Sequence, residues 1–369
     1  MRQNNYFIML FKALFFSMII LTTSSARAEL KVVTTIKPLY SLVANVMDGV
    51  GEPSLIIEGS TSPHSFTLKP SHAKLLEEAD LIFWIGEGME TFMEGPLESL
   101  AKKAEVVEFM EVESIEKLKF REESIFGDHD DHDDHDDHDD HDDHDDHDDH
   151  DDHDDHDDHD DHDDHDDHDD HDDHDDHDNH EEHDNHEEHD NHEEHDDHDH
   201  AHGEFDAHIW LDPSNAKEMV HEIAHELGDL DPANKDKYEA NAEATIKALD
   251  ELMNDVSQNI NKDAKFVVFH DAYQYFEERF GVRAAGALTL NTDVLPGAKQ
   301  VADIQDVIKD KGINCIFSEP QFNPKIISTI AEDTNIKTGV FDPLGANITS
   351  DKELYFKLIS NLSNQLKDC

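Results

Sequence analysis

Short apolar runs rich in β-branched residues alternate with stretches of helical spacing through the first part of the chain. Residues 30–36 form such a run, which ends at Lys37-Pro38 and predicts a strand. The ten residues from Pro38 onward keep the spacing of one helix face. The alternation continues with predicted strands at 54–57, 81–85 and 106–109 and predicted helices at 70–79 and 89–101. Strands that alternate with helices are typical of βαβ units, so we expect a parallel sheet.

A second alternating unit follows residue 260. Its predicted strands are 266–269, 282–288, 313–317 and 338–341, and its predicted helices are 273–280, 297–311, 326–334 and 352–367. Between the units, residues 214–227 predict one helix. Asp231-Pro232 predicts the start of another, with Asp231 as N-cap, which runs to about residue 260 and would be about 40 Å long. The predicted fold is therefore α/β, with two lobes, each a mainly parallel sheet flanked by helices, joined by one long backbone helix.

The segment 128–204 has neither pattern. It is a near-perfect His-Asp-Asp repeat that holds 26 of the 32 histidines and 46 of the 92 acidic residues. Without Val, Ile, Leu or Trp it cannot bury enough apolar surface to offset its ordering entropy, so we predict a disordered loop. Its imidazoles and carboxylates favour weak collection of divalent metals, and a solvated acidic linker is the alternative. The candidate ligands are His129, His132, His135, His198, His200, His202 and the remaining tract histidines.

The first 28 residues predict a secretory signal peptide. Arg2 and Lys12 are basic, residues 13–21 are almost wholly apolar, and Ala26-Arg27-Ala28 is a cleavage pattern. A membrane anchor is the alternative, but the apolar run is short for a span. We therefore expect an exported protein with no membrane insertion after cleavage. The formal net charge of −64 argues against nucleic acid and anionic membranes as partners.

The chain has two cysteines, Cys315 and Cys369. In an exported protein, two cysteines most simply form one disulfide. Two free thiols or a cysteine metal ligand are the alternatives.

Three histidines outside the tract lie after predicted strands or beside an apolar segment. His64 lies in a Pro-, Gly- and Ser-rich loop after a strand, His208 borders a short apolar segment, and His270 follows the strand 266–269. Ligands of open α/β sheets bind at the carboxyl ends of strands, so the three imidazoles together predict a zinc-type site, although each alone is more often structural. Asp342, directly after the strand 338–341, is the fourth candidate. Glu319 lies in a Ser-Glu-Pro turn, and we predict a structural or indirect role for it.

A competing motif is present at His221-Glu222-Ile-Ala-His225. With Gly228 and Asp231 it fits the zinc-protease pattern H-E-x-x-H-x-x-G-x-x-D, in which Glu222 would be the general base. The two histidines lie off the apolar stripe of the predicted helix, so we expect an ordinary surface helix that could bind metal weakly. We predict that His72, on an amphipathic helix, faces solvent.

Several motifs carry a family resemblance. They are Thr34-Thr-Ile-Lys-Pro38, Ser62-Pro-His64, Leu68-Lys-Pro-Ser71, His208-Ile-Trp-Leu-Asp-Pro213, Phe269-His-Asp-Ala-Tyr273, Phe317-Ser-Glu-Pro-Gln-Phe322 and Asp342-Pro-Leu-Gly345. In this order they resemble the zinc-specific solute-binding proteins of bacterial ABC transporters. The resemblance covers residue 30 to about 123 and residues 205–369, with the tract as the His-rich loop of that family.

The resemblance implies two lobes around a rigid helix, with zinc held between them and delivered to a membrane permease. It implies His64, His208 and His270 as ligands, Asp342 or water as the fourth, and a disulfide between Cys315 and Cys369. Some members have Glu just before the first histidine, where this chain has Pro63. The implied segments are a signal peptide (1–28), an N-terminal lobe (29–127 and 205–230), the metal-binding loop (128–204), a linking helix (231–260) and a C-terminal lobe (261–369).

We therefore expect a monomeric periplasmic zinc-binding protein that is not an enzyme and has a zinc ion and an ABC permease as partners. A periplasmic metal buffer that acts mainly through the tract is one alternative. A manganese-binding relative is another, since such relatives replace an imidazole with a carboxylate, and His270 is the position where that exchange would occur.

Overall fold

The computed structural model describes residues 29–125 and 203–369, except 291, 293–295, 335 and 368. The predicted signal peptide and nearly all of the predicted metal-binding loop lie outside the described residues. The described residues form two four-stranded sheets, and every strand pair in them is parallel. The predicted α/β fold with two lobes is confirmed.

The N-terminal sheet has the strand order β2-β1-β3-β4. Its strands are β1 (Val32–Thr34), β2 (Ser54–Leu55), β3 (Leu81–Trp84) and β4 (Glu105–Glu108), and its helices are α1 (Lys37–Val46), α2 (Pro70–Glu78) and α3 (Glu94–Leu100). Strand β3 is buried at all four positions, as expected of a central parallel strand covered on both faces.

The C-terminal sheet has the order β6-β5-β7-β8. Its strands are β5 (Phe266–His270), β6 (Ala287–Thr289), β7 (Cys315–Ser318) and β8 (Lys337–Val340). Its helices are α6 (Gln274–Phe280), α7 (Ala298–Asp310), α8 (Lys325–Thr334) and α9 (Leu354–Leu366). The predicted strand at 282–288 is wrong in its first half, because pairing with β5 begins only near Ala287.

Two helices connect the sheets, α4 (Pro213–Leu230) and the long α5 (Lys235–Asn259). Helix α5 begins three residues later than predicted, at Lys235 instead of Pro232. Asp231 is not its N-cap; this carboxylate accepts hydrogen bonds from Asn234 Nδ2 at 2.6 Å and Tyr238 Oη at 3.2 Å in the turn between the helices. The 25 residues of α5 span about 38 Å.

A single buried apolar cluster extends from the N-terminal sheet through α4 and α5 to one face of the C-terminal sheet and α9. A second, smaller cluster lies on the other face of that sheet, beneath α7 and α8. The lobes therefore share a core. Within the described residues, no helix is both long enough and apolar enough to cross a membrane.

The structure pairs Cys315 with Cys369, whose Cα atoms are 5.6 Å apart. The disulfide attaches the C-terminal residue to the first residue of β7. The two cysteines are therefore neither free thiols nor metal ligands.

Candidate metal centre

The structure brings His64, His208 and His270 together. His270 is the last residue of β5, His208 precedes a 3-10 turn (Ile209–Leu211), and His64 lies in the 3-10 turn Pro63–Ser65 after β2. Their ring centroids are 5.5 Å (His64–His208), 6.0 Å (His64–His270) and 5.2 Å (His208–His270) apart. One nitrogen from each ring lies within 4.8 Å of the other two.

The turn that carries His64 is determined locally. Pro63 occupies its first position, where its restricted φ suits the turn and its missing N–H removes no hydrogen bond. The hydroxyl of Ser62 accepts a hydrogen bond from the backbone N–H of His64 at 3.3 Å. These contacts direct a half-buried imidazole toward the C-terminal lobe.

His208 is held between the lobes by its neighbours. The ring centroids of Trp210 and His208 are 5.3 Å apart. Trp210 Nε1 donates to the carbonyl of Pro343 at 2.8 Å. The carbonyl of Trp210 accepts from the hydroxyl of Tyr355 at 2.6 Å. Residues of the C-terminal lobe thus fix the segment that carries His208.

Two buried carboxylates orient two of the imidazoles. Glu319 Oε1 lies 2.7 Å from His270 Nδ1, and Asp206 Oδ1 lies 2.6 Å from His208 Nδ1. An ionised carboxylate only accepts, so in the neutral form of each imidazole Nδ1 carries the proton and Nε2 has a lone pair. The two Nε2 atoms face each other at 3.3 Å. When both rings are neutral, the two Nε2 lone pairs repel at this distance, and a cation between the rings would turn that repulsion into coordination.

The carboxylates were only partly predictable. Glu319 contacts His270 and is not a member of the histidine group, which is consistent with the structural or indirect role predicted for it. Asp206 was missed, although a carboxylate two residues before a candidate ligand is a usable signal. It is anchored from the other lobe by Gln274 Nε2, which donates to Asp206 Oδ2 at 2.9 Å.

The pKa values of His64 and His270 are shifted in opposite directions. Burial, followed by the neighbouring His208 and His270, holds the pKa of His64 well below its usual value. Burial also lowers the pKa of His270, but the charge and hydrogen bond of Glu319 outweigh it, and the pKa is raised. Zinc binds neutral imidazole, so His64 is ready to bind, whereas His270 gives up a proton more reluctantly.

The structure does not bring Asp342 into the histidine group. Its Oδ2 accepts from the N–H of Ala346 at 2.6 Å, and its Oδ1 lies 3.2 Å from both the N–H of Leu344 and Gln321 Nε2. In this conformation Asp342 shapes the loop after β8.

The protease-like residues do not form the site that their spacing describes. The nearby group that could hold an ion is Glu222, His225 and Glu226, whereas His221 is exposed and outside it. The Asp231 carboxylate instead accepts hydrogen bonds from Asn234 and Tyr238 at the start of α5. His72 is half-buried rather than solvent-facing, because its Nδ1 accepts from the N–H of Lys69 at 3.2 Å and its ring stacks on Phe66.

Known proteins match this chain over almost its whole length. A family described as zinc-uptake complex component A, periplasmic, matches residues 32–369. The high-affinity zinc uptake system protein ZnuA of Brucella abortus (strain 2308) is 45% identical over 340 residues, which is 92% of this chain and 91% of that protein. Its namesake from Yersinia pestis is 30% identical over 371 residues, 97% and 96% of the two chains.

Solved structures show the same fold. A crystal structure of ZnuA has a TM-score of 0.62 at 19% identity and covers 91% of this chain and 98% of that one. The laminin-binding protein of Streptococcus agalactiae, described as having adhesin and metal transporting activity, has a TM-score of 0.61 at 22% identity, with coverage of 92% and 100%. Since the family match spans nearly the entire sequence, the chain belongs to the ZnuA family, the periplasmic component A of zinc-uptake complexes.

Proposed function

We propose that this protein captures Zn²⁺ in the periplasm between its two lobes and delivers it to an ABC transporter permease. The observation that carries the proposal is the convergence of His64, His208 and His270, with the Nε2 atoms of the last two 3.3 Å apart. Family membership supports it, because the relatives are named zinc uptake proteins. Zinc is the cargo, and its capture requires no bond to be made or broken in a substrate.

The donor set favours zinc over manganese. Three imidazoles suit zinc, whereas manganese prefers carboxylate and water oxygens. Position 270, where a manganese-binding relative would carry a carboxylate, is histidine. Glu319 and Asp206 contribute as acceptors for the ligand histidines, and this makes the imidazoles better donors to the ion.

The test is zinc titration of the chain without residues 128–202, against a competing chelator. We expect one tight site, and His64→Ala, His208→Ala and His270→Ala should each weaken it by more than the roughly 10–100-fold typical of an outer partner. His221→Ala, at an exposed histidine of α4, is the matched control and should change nothing. Manganese should bind the parent chain poorly.

The same deletion decides between this function and metal buffering by the tract. If the tract is the main activity, tight zinc binding disappears with it and the three alanine variants have no effect. If the proposal is right, the deletion removes only weak sites. Asp342→Asn, titrated alongside, tests whether the Asp342 carboxylate binds the ion. If it does, the variant should lose zinc affinity as His64→Ala does. If water is the fourth ligand, the variant should bind zinc as the parent chain does.

A further inference from the structure

Two cavities of very different size adjoin the three histidines. The smaller, of about 10 Å³, also contacts Trp210, Glu319 and Phe322. It has room for no more than about one water molecule. The larger is an open cleft of about 330 Å³, whose walls beyond the histidines are formed by Gly88, Phe120, Arg121, Asp271, Leu290 and Thr292.

The cleft is much larger than a bound ion requires. A water molecule occupies about 30 Å³ of liquid, and pockets for small organic ligands begin at roughly 300 Å³. The cleft therefore has the volume of a small-ligand site, and the imidazoles of the metal centre form part of its wall.

The coordination of zinc leaves a position for such a ligand. Three imidazoles fill three of the four tetrahedral positions of zinc. Asp342 is held by loop amides, and no carboxylate belongs to the histidine group within the described residues. A donor that reaches the ion through the cleft can therefore complete its coordination.

The wall of the cleft carries both signs of charge side by side. Arg121 Nη1 lies 3.4 Å from Asp271 Oδ1, and Arg121 Nη2 lies 2.8 Å from Glu277 Oε2, which holds the guanidinium in place. The side chains of Arg121 and Asp271 are 17% and 5% exposed. A guanidinium binds a carboxylate, and a carboxylate accepts from an amine. This pair complements a ligand that carries both a carboxylate and an amine, as an amino acid does.

We propose that the cleft binds a small amino-acid-type chelator coordinated to the captured zinc ion, so that the protein holds zinc in a ternary complex. The proposal rests on the zinc site of the proposed function. In the complex one donor atom of the chelator fills the fourth position of the ion, its carboxylate faces Arg121, and its amine faces Asp271.

The test uses the mature full-length chain with one equivalent of Zn²⁺ and L-histidine as the probe. Gly88→Leu fills the cleft: a Cβ at position 88 meets only Ala207 Cβ at 3.9 Å, and Gly88 is not among the glycines with positive φ. Thr292→Phe fills it from another wall and guards against a local effect at Gly88. Gly95→Leu, where a Cβ meets nothing within 4 Å, is the control outside the cleft.

Native mass spectrometry should detect protein with zinc and histidine for the parent and Gly95→Leu, and protein with zinc alone for the two cleft variants. Free histidine also competes with the protein for zinc. We therefore expect the histidine concentration that removes half of the zinc to be at least tenfold lower for the cleft variants than for the parent. If the parent binds zinc tightly but forms no ternary complex, the proposal is wrong and the cleft is only an entry path. A ternary complex that persists in both cleft variants also overturns it, because the chelator then binds elsewhere. Failure of zinc alone to bind the parent overturns the zinc site itself.

Discussion

The substitution Glu319→Gln separates the charge of a buried carboxylate from its shape. Glu319 Oε1 lies 2.7 Å from His270 Nδ1 and 3.4 Å from the backbone N–H of His270. A glutamine amide oxygen can occupy the same position and accept from the same groups. The variant therefore keeps the orientation of His270 and loses only the negative charge behind it.

The expected loss of zinc affinity follows from that contact. A hydrogen bond to a charged group contributes about 1.5–3 kcal/mol and is roughly twice as strong as a neutral one. Zinc draws electron density from His270 and makes its Nδ1–H a stronger donor, so the difference is larger in the bound state. We expect affinity to fall by about 10–100-fold, or roughly 1.4–2.8 kcal/mol, as for other outer partners of metal ligands.

The assay is competition with a zinc chelator of known affinity, on chains without residues 128–202, at several pH values. The control is Glu278→Gln, which removes one glutamate charge from an exposed position of α6 outside the histidine group. Glu319 raises the pKa of His270, so in the parent chain zinc must displace a proton as the pH falls. The variant has a lower His270 pKa, and the affinity difference between the two chains should therefore shrink on acidification.

Two results would refute this reasoning. An affinity equal to that of the parent at neutral pH would show that the charge of Glu319 does not act through His270. A loss that stays constant with pH would mean that the substitution disturbed the packing around the site instead of the protonation of His270.

Three further predictions concern stability and the loop after β8. Burial raises the pKa of Glu90 to about 7, so stability should fall as pH rises from about 4.5 to 7, where only the folded chain keeps the proton. In the Glu90→Gln variant the free energy of unfolding should fall by about 3 kcal/mol less over this pH range than in the parent chain. Urea unfolding of the metal-free proteins measures it, and an unchanged pH profile would contradict the prediction. Cys369→Ser opens a loop with a sequence separation of 54 and should lower the free energy of unfolding by about 4 kcal/mol, which reduction of the parent chain should reproduce. Asp342→Asn should lower the thermal unfolding midpoint, because Ala346 loses a charged acceptor at 2.6 Å; an unchanged midpoint would count against its role in the loop.

Sequence patterns together with the family resemblance were sufficient to predict the fold and the convergence of the three histidines. Strand and helix periodicities are local, so the strand β5, which ends at His270, can be predicted from its run of four apolar residues. The position of ligands in parallel sheets is a general consequence of topology, so His64 and His270 could be placed together before any distance was known. Two cysteines in an exported chain likewise allow a single intramolecular pairing, which the structure contains.

Tertiary structure alone decided which distant carboxylate faces His270. Glu319 is 49 residues from His270 in the chain. Asp342 directly follows its predicted strand, as His270 does, yet Glu319 contacts an imidazole and Asp342 contacts loop amides. Local sequence carries no information on this choice, because hydrogen bonds depend on distances of a few tenths of an ångström between segments far apart in the chain. The start of α5 has the same cause: Asp231 has the residue type of an N-cap, but Tyr238 and Asn234 engage its carboxylate in the folded protein.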